Sequence, residues 1–448
     1  MKKHLNVGFV VTKSGRWPKE LGERRLANYG TWVKENLPHC EVAVFDTLVS
    51  NKDDLKSCIS FMQENRVDLL IQLYGAFTGD DVCCTFADEL KVPIILWAPR
   101  EEKWERQDRL YANALCSATM NGASLLRIHA PHYVVFGNKG EERVQKELCD
   151  TISAYAAAKN IRGMTYGLFG YRPTAFYNCA FDEVTIRRTY GINIEETDLK
   201  VVFDRMAEFT DEEVETEVNR VAQKWDTTML PEGHLENHAR LYLALKDLFS
   251  KQGYDYAAIK CWPEMGNLHT TPCAVLGRLC DEGVTISCEG DMDAGIAALV
   301  QNVLTGAPTF ITDLINIDEQ ENTVTFWHCG NAAPSLHDEK DGVTMCNHPL
   351  AGQGTAFWCA LKQGAVTAAR FTNIDGQYRL FLLRGEAVPT VRNTRGSMVN
   401  VKVNTPVLDL VNNIAAAGMS HHWSVVWQDV ADQMIALARL WDIPVIEL

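Results

Sequence analysis

The sequence contains no run of about 18 apolar residues, so it offers no helix able to span a bilayer. Its first apolar stretch, Val7–Val11, stops at Thr12-Lys13-Ser14. That is too short for a signal-peptide core and reads as a buried strand. Among 14 cysteines there is no Cys-x-x-Cys pair, and the neighbours Cys83-Cys84 do not bridge easily. Nothing resembles a zinc ribbon or a disulfide framework. The cysteines read as small buried hydrophobes, and reduced thiols in this number point to the cytoplasm. Positive charge is in short supply: 43 Lys and Arg stand against 58 Asp and Glu, a net charge of −15. Such a chain is poorly suited to gripping a polyphosphate backbone, which sets nucleic acid aside as a partner. There is no P-loop, no Gly-x-Gly-x-x-Gly after a strand and no Gly-x-Ser-x-Gly elbow. Phosphoryl transfer and hydride transfer therefore lack their expected cradles. No internal repeat or low-complexity linker occurs.

What is present is the balance of a soluble globular protein, 46% hydrophobic and 23% charged. A length of 448 residues suggests about three domains. Short apolar runs at Leu5–Val11, Glu41–Phe45, Leu69–Tyr74, Ile94–Ala98 and Tyr133–Phe136 alternate with helical patterns at Lys19–Lys34, Asp80–Leu90 and Tyr111–Leu126. This is the signature of βαβ units and a parallel sheet. A second such series runs from Glu142 to Trp327. Its predicted helices are Ala175–Thr189, Asp211–Lys224, Glu236–Lys251, Thr271–Asp281 and Asp291–Leu304. From Asp338 to Pro406 the helical pattern fades, and Val366–Phe371, Tyr378–Leu383 and Met398–Val403 read as antiparallel strands. The expected fold is α/β: two successive parallel-sheet αβ domains, 1–160 and 161–337, then a smaller, mainly antiparallel β domain over 338–448.

The most informative stretch is Ser287-Cys288-Glu289-Gly290-Asp291, followed by a helix and Thr312-Asp313-Leu314. Glu289 and Asp313 are each expected at the C-terminal end of a strand, on the edge where open α/β sheets bind ligands. Two carboxylates there could share a divalent cation or act as acid and base on one substrate; alternatively they are helix caps and surface charges, Asp291 being a good N-cap. His421-His422 could supply a metal ligand and a substrate donor, and His328 follows a strand that could bring it to the same pocket. Arg16, after the first strand, offers a cationic donor. Glu264, in Trp262-Pro263-Glu264 after the strand Ala257–Cys261, joins the candidate substrate contacts.

These residues resemble the L-fucose isomerase family. Glu289, a second acid at Asp291, Gly295, Leu304-Thr305-Gly306 and Asp313 are similar to its active-site signature, including the interval between the two acids. Val7-Gly8-Phe9 with Gly15-Arg16 resembles its opening strand and substrate-contacting arginine. Ile95-Leu96-Trp97, with the acid-rich turn that follows, resembles the segment carrying its substrate-stacking tryptophan. Gly330-Asn331-Ala332-Ala333 is similar to a later stretch. The chain is shorter than these isomerases, and His328 stands where a small polar residue is expected. L-arabinose isomerases and isomerases of 6-deoxy-6-sulfo sugars are similar as well.

The resemblance implies three domains and a Mn²⁺-dependent aldose–ketose isomerisation of a free sugar through an enediol, in a trimer or hexamer. It implies Glu289 and Asp313 as metal ligands and acid/base pair, His422 in preference to His421 as the third ligand, and Arg16, Trp97, His328 and His421 near the substrate. The alternatives are a sugar-binding protein without catalysis, a pentose isomerase of the L-arabinose type, and an oxidoreductase, which the missing dinucleotide motif disfavours. The sugar and its C6 substituent are not readable from the sequence.

Overall fold

The computed structural model describes residues 5–37, 40–102 and 110–448. Most of the acid-rich turn after Trp97, residues 103–109, lies outside the described residues. The chain divides into two compact units. Unit 1 comprises residues 1–160 and 432–442, and unit 2 comprises 161–431 and 443–448. Among the described residues, no helix is long and apolar enough to cross a membrane.

Unit 1 runs β1 (Leu5–Thr12), α1 (Lys19–Asn36), β2 (Cys40–Val44), α2 (Lys52–Glu64), β3 (Leu69–Tyr74), α3 (Asp80–Leu90), β4 (Ile94–Ala98), α4 (Ala114–Arg127), β5 (His132–Phe136) and α5 (Glu142–Ile161). Its five strands are all parallel, in the order β2-β1-β3-β4-β5. β3 and β4 are buried along their whole length, as expected of strands covered by helices on both faces.

Unit 2 begins with β6 (Thr165–Phe169), α6 (Glu183–Tyr190), β7 (Asn193–Thr197), α7 (Leu199–Glu208), α8 (Asp211–Lys224), β8 (Asp226–Met229), α9 (His234–Gln252), β9 (Tyr256–Ile259), α10 (Cys273–Asp281), β10 (Ile286–Ser287) and α11 (Met292–Thr305). Four of these strands form a second parallel sheet, β10-β9-β6-β7. Then come β11 (Phe310–Asp318), β12 (Thr323–His328), β13 (Thr344–Cys346), β14 (Ala356–Ala360), β15 (Gly364–Ile374), β16 (Gln377–Val388), β17 (Ser397–Val403), α12 (Val407–Ala417), β18 (His422–Val426) and β19 (Val445–Glu447).

Six of the later strands close on themselves. The ring β16-β15-β18-β11-β12-β17 is antiparallel at every step and is completed by the β16–β17 pairing. Closure removes the exposed edges of these strands. Phe326 and Trp423 pack edge to face inside, with Val324, Val399, Val401 and Val425 around them. Strands from both sides of residue 337 belong to this sheet, so the fold runs on across that expected boundary.

Two expectations change. The predicted helix Ala175–Thr189 exists only from Glu183, because the Asp182 side chain accepts from Thr185 N and starts the helix there. Residues 170–182 are instead a loop with one short turn at Tyr177–Cys179. Asp313 is not at a strand's C-terminal end on the second parallel sheet. It is the fourth residue of β11, within the antiparallel ring.

Candidate active site

Two pieces of unit 2 meet at the site. The first is the turn after β10. The chain leaves the parallel sheet at Ser287 and makes a tight turn over Cys288–Gly290, with Glu289 in the left-handed region (φ 59°, ψ 18°). Gly290 follows at φ 63°, and a Cβ there would lie 2.0 Å from the Tyr171 carbonyl oxygen, so only glycine fits. Asp291 caps α11, its Oδ1 accepting from Ala294 N at 3.0 Å. The apolar first turns of α11 bury it against the sheet, so close that a Cβ on Gly295 would collide with the Tyr166 hydroxyl. The second piece is the ring. Asp313 of β11 and His422 of β18 are directly opposed across two antiparallel strands, which puts their side chains on one face.

The result is a concentrated set of ligand-type groups. His422 Nε2 lies 3.4 Å from Glu289 Oε2 and 3.7 Å from Asp313 Oδ1. His421 Nε2 lies 3.4 and 3.9 Å from the same two oxygens. The two imidazole rings are 3.9 Å apart, and His328 stands 5.6 Å from His422. Glu289, His328 and His422 can each bring one ligand atom within 4.8 Å of the others, as can Asp313, His421 and His422.

The two adjacent histidines are held differently. His422 Nδ1 is 2.8 Å from Asp291 Oδ2 and donates to that buried carboxylate, so in the neutral ring Nε2 keeps its lone pair. His421 Nδ1 accepts from Asn178 Nδ2 at 2.6 Å, so its Nε2 carries the proton. Phe176 packs edge-on against the His421 ring. The 170–182 loop thus supplies two of the groups that hold His421. Among the described residues, His422 Nε2, Asp313 Oδ1 and both His328 ring nitrogens are buried without a hydrogen-bond partner. Buried polar atoms are seldom left so, and His422 is shared by the two groups of ligand atoms just named. The donor set therefore fits a divalent cation.

The electrostatics agree. Burial pushes the Glu289 carboxyl up, but the hydrogen bond from His421 and the nearby His422, His328 and His421 rings outweigh it and bring it below the usual value. Burial likewise raises Asp291, yet the Arg370 guanidinium and His422 hold it well below the carboxylate range. Burial keeps His328 neutral, lowering it despite the Asp313 charge.

A pocket of about 390 Å³ opens beside Glu289 and His328, walled by Trp262, Pro263, His348, Gln353 and the thiols of Cys261, Cys273, Cys288 and Cys329. That volume is in the range of small-molecule sites. His348 Nδ1 accepts from Leu350 N and Ala351 N, which puts its proton on Nε2. Burial lowers this imidazole to about 4, so it stays neutral. Phe176 meets Trp262 edge to face at 5.5 Å, giving the pocket a partly exposed aromatic rim.

The structure therefore brings Glu289, Asp313, His328, His421 and His422 together. It does not bring Glu264 in: that carboxylate pairs with Lys260 four residues earlier on the same turn, rather than lining the pocket. Arg16 is an exposed residue of unit 1, in the turn after β1. Trp97, expected to stack on the sugar, offers no exposed face in this structure. It is fully buried in unit 1, packed edge-on by Tyr29 and Trp32 of α1, with Nε1 donating to the Gly137 carbonyl. A tryptophan in a strand covered on both faces points into a covering helix, not to solvent.

Sequence reading missed Asn178, Trp262, His348 and Arg370. Of these, Arg370 left a signal. It is a lone charge inside the apolar run Val366–Phe371, where a buried arginine requires a partner.

Residues 8–162 match the family described as "Fucose/sulfoquinovose isomerase, N-terminal domain". Over 413 residues, 91% of each chain, the sequence is 27% identical to a sulfoquinovose isomerase of Priestia megaterium. Similarity to the sulfoquinovose isomerase of Alkalicoccus urumqiensis is 26% over 405 residues, 90% of each chain. For that of a Clostridium species it is 28% over 355 residues, 78% of this chain and 79% of the relative. The chain is thus similar to sulfoquinovose isomerases along about nine-tenths of its length, and its residues 8–162 match the model of the fucose/sulfoquinovose isomerase N-terminal domain.

Proposed function

We propose that this protein is a metal-dependent aldose–ketose isomerase acting on a free sugar through an enediol intermediate. One observation supports this above the rest: His422 Nε2 and Asp313 Oδ1 are buried without a hydrogen-bond partner, 3.7 Å apart, with Glu289 Oε2 3.4 Å from the same nitrogen. In this reading Glu289, Asp313 and His422 hold the cation, and His328 presents a ring nitrogen from the pocket side. Oxygen-rich donors of this kind suit a hard cation such as Mn²⁺. The bound cation would supply charge stabilisation for oxygen atoms that turn negative at C1 and C2. Glu289, ionised at neutral pH, takes the proton from C2, and the Glu289/Asp313 pair returns it at C1. His421 Nε2–H donates to a sugar hydroxyl, with Trp262 offering an apolar face to the ring.

The relatives named sulfoquinovose isomerase make a 6-deoxy-6-sulfo hexose the first substrate to try, ahead of L-fucose-like deoxyhexoses and pentoses. The free state of all fourteen thiols supports a reducing, cytoplasmic setting. A trimer or hexamer is the assembly we propose.

The test is a panel of sulfonated, deoxy and unmodified aldoses with the EDTA-treated protein, with and without added Mn²⁺, read by ketose formation and by exchange of the C2 proton with solvent. Mn²⁺-dependent ketose from at least one of these sugars is the expected result. Substrate binding with neither ketose nor C2 exchange across the whole panel would return the protein to the class of sugar binders.

A further inference from the structure

Behind His422 lies an ion pair that the chemistry above does not use. Arg370 sits in β15, on the strand next to β18, and has no exposed surface. Its Nη1 is 2.9 Å from Asp291 Oδ2 and its Nη2 3.2 Å from Asp291 Oδ1, a two-pronged clamp. Nη1 also donates to the His422 backbone carbonyl at 3.1 Å, and Nε to Thr372 Oγ1 at 3.2 Å. One guanidinium thus grips His422 twice, once through its backbone and once through the carboxylate on its ring.

Asp291 has its remaining acceptor positions filled as well. Oδ1 takes the Ala294 amide and Oδ2 takes His422 Nδ1–H, with Cys179 Sγ at 3.7 Å. A fully buried ion pair gains little stability over apolar packing, because both charges must be stripped of water. Its geometry does something that apolar packing cannot. An acceptor-only carboxylate, pinned in place, forces the His422 proton onto Nδ1. That turns the Nε2 lone pair toward Glu289 and Asp313.

We propose that Arg370 is a positioning residue: by clamping Asp291 and the His422 carbonyl it fixes the tautomer and heading of the imidazole that binds the cation. This rests on the metal reading of the site. It implies that metal affinity depends on a side chain on another strand that touches no metal ligand except through Asp291 and a backbone carbonyl.

The experiment compares wild type with Asp291→Asn, Arg370→Met, Arg370→Lys and His422→Ala, all freed of metal with EDTA. Mn²⁺ binding is followed by the EPR signal of free Mn²⁺, and the His422 tautomer by ring ¹⁵N shifts in ¹⁵N-histidine protein, assigned with His422→Ala. Asp291→Asn and Arg370→Met are expected to weaken Mn²⁺ binding about 10- to 100-fold. They should also move His422 from a single Nδ1–H form to a mixture, with Arg370→Lys recovering part of both effects. Asp291→Asn keeps shape and size, so it decides the matter if Arg370→Met does not fold. A folded Asp291→Asn protein with wild-type Mn²⁺ affinity and an unchanged His422 tautomer overturns the proposal, provided His422→Ala does lose affinity. If His422→Ala binds Mn²⁺ as wild type does, the metal reading itself falls, and this inference with it.

Discussion

Glu289 projects its side chain from a backbone conformation that L-residues avoid, at a cost of about 1–2 kcal/mol. Strain of this kind persists where the surroundings over-determine it, and it clusters at functional sites. Here Gly290 and the Tyr171 carbonyl hold the turn, and the strained residue is the one whose carboxylate faces two imidazoles. Glu289→Gln and Asp313→Asn keep size and one acceptor oxygen but lose charge and basicity. Each is expected to lower turnover by at least about 10²–10⁴-fold while circular dichroism stays that of wild type. Near-normal turnover in either variant, with Mn²⁺ still bound, would sink the proposed proton transfer. Glu289, Asp313 and His328 were singled out because each is a polar group following a short strand-like run: Glu289 after Ile286-Ser287, Asp313 after Ile311-Thr312, His328 after Phe326-Trp327. The clamp behind them was not. Asp291 and Arg370 are 79 positions apart, and nothing local pairs them.

The turn Cys288–Gly290 and helix α11 work as one element. An alanine at Gly290 would meet the Tyr171 carbonyl and a positive φ together. Gly290→Ala is expected to destabilise unit 2 by about 3 kcal/mol in denaturant titrations, and to weaken metal binding because Glu289 moves with the turn. One turn further on, burial pushes the Asp293 carboxyl up to about 7, against the pull of Arg370, with Tyr378 donating to it at 2.8 Å. A folded-state value raised above the unfolded one means that the folded state binds the extra proton. Stability from this group is whole below about pH 4 and falls as pH rises toward 7, by about 1.4 kcal/mol per unit. Asp293→Asn should flatten that slope. An unchanged pH dependence of the unfolding midpoint would show that Asp293 is ionised in the folded protein.

Elements with strong signals at both ends were legible to the residue. β3, β4 and α3 have the predicted bounds, as does α8 with its Thr210/Glu213 capping box. The strand expected to end at Asp313 runs on to Asp318 as β11, through a register shift between Leu314 and Asn316. α2 was missed although Asn51 caps it and Leu55, Cys58, Ile59 and Met62 follow at helical spacing.

At the scale of the molecule, every side chain of the cation site comes from unit 2, and from both of its sheets. Binding there should tie the turn after β10 to the ring of six strands. Adding Mn²⁺ at 100 times its Kd is expected to stabilise the folded protein by about 2.7 kcal/mol, seen as a rise in Tm that EDTA reverses and His422→Ala abolishes. An equal Tm shift in His422→Ala would place the cation elsewhere. The two parallel sheets were legible from alternating apolar runs. Closure of the β ring was not, because it depends on β11 pairing with β18 and β12 with β17, strands far apart in the sequence.

The division of the chain has a further consequence. Residues 432–442 belong to unit 1, while 443–448 return to unit 2, where β19 pairs with β16. The polypeptide therefore passes between the units three times. A gene fragment ending at residue 160 encodes unit 1 without the helix Ala431–Leu440, and a stop codon before residue 432 mutilates both halves at once. Neither half is a removable cassette, so swapping one with a relative requires splicing at three joints, and a single protease nick near residue 160 leaves the halves still threaded together by the C-terminal tail.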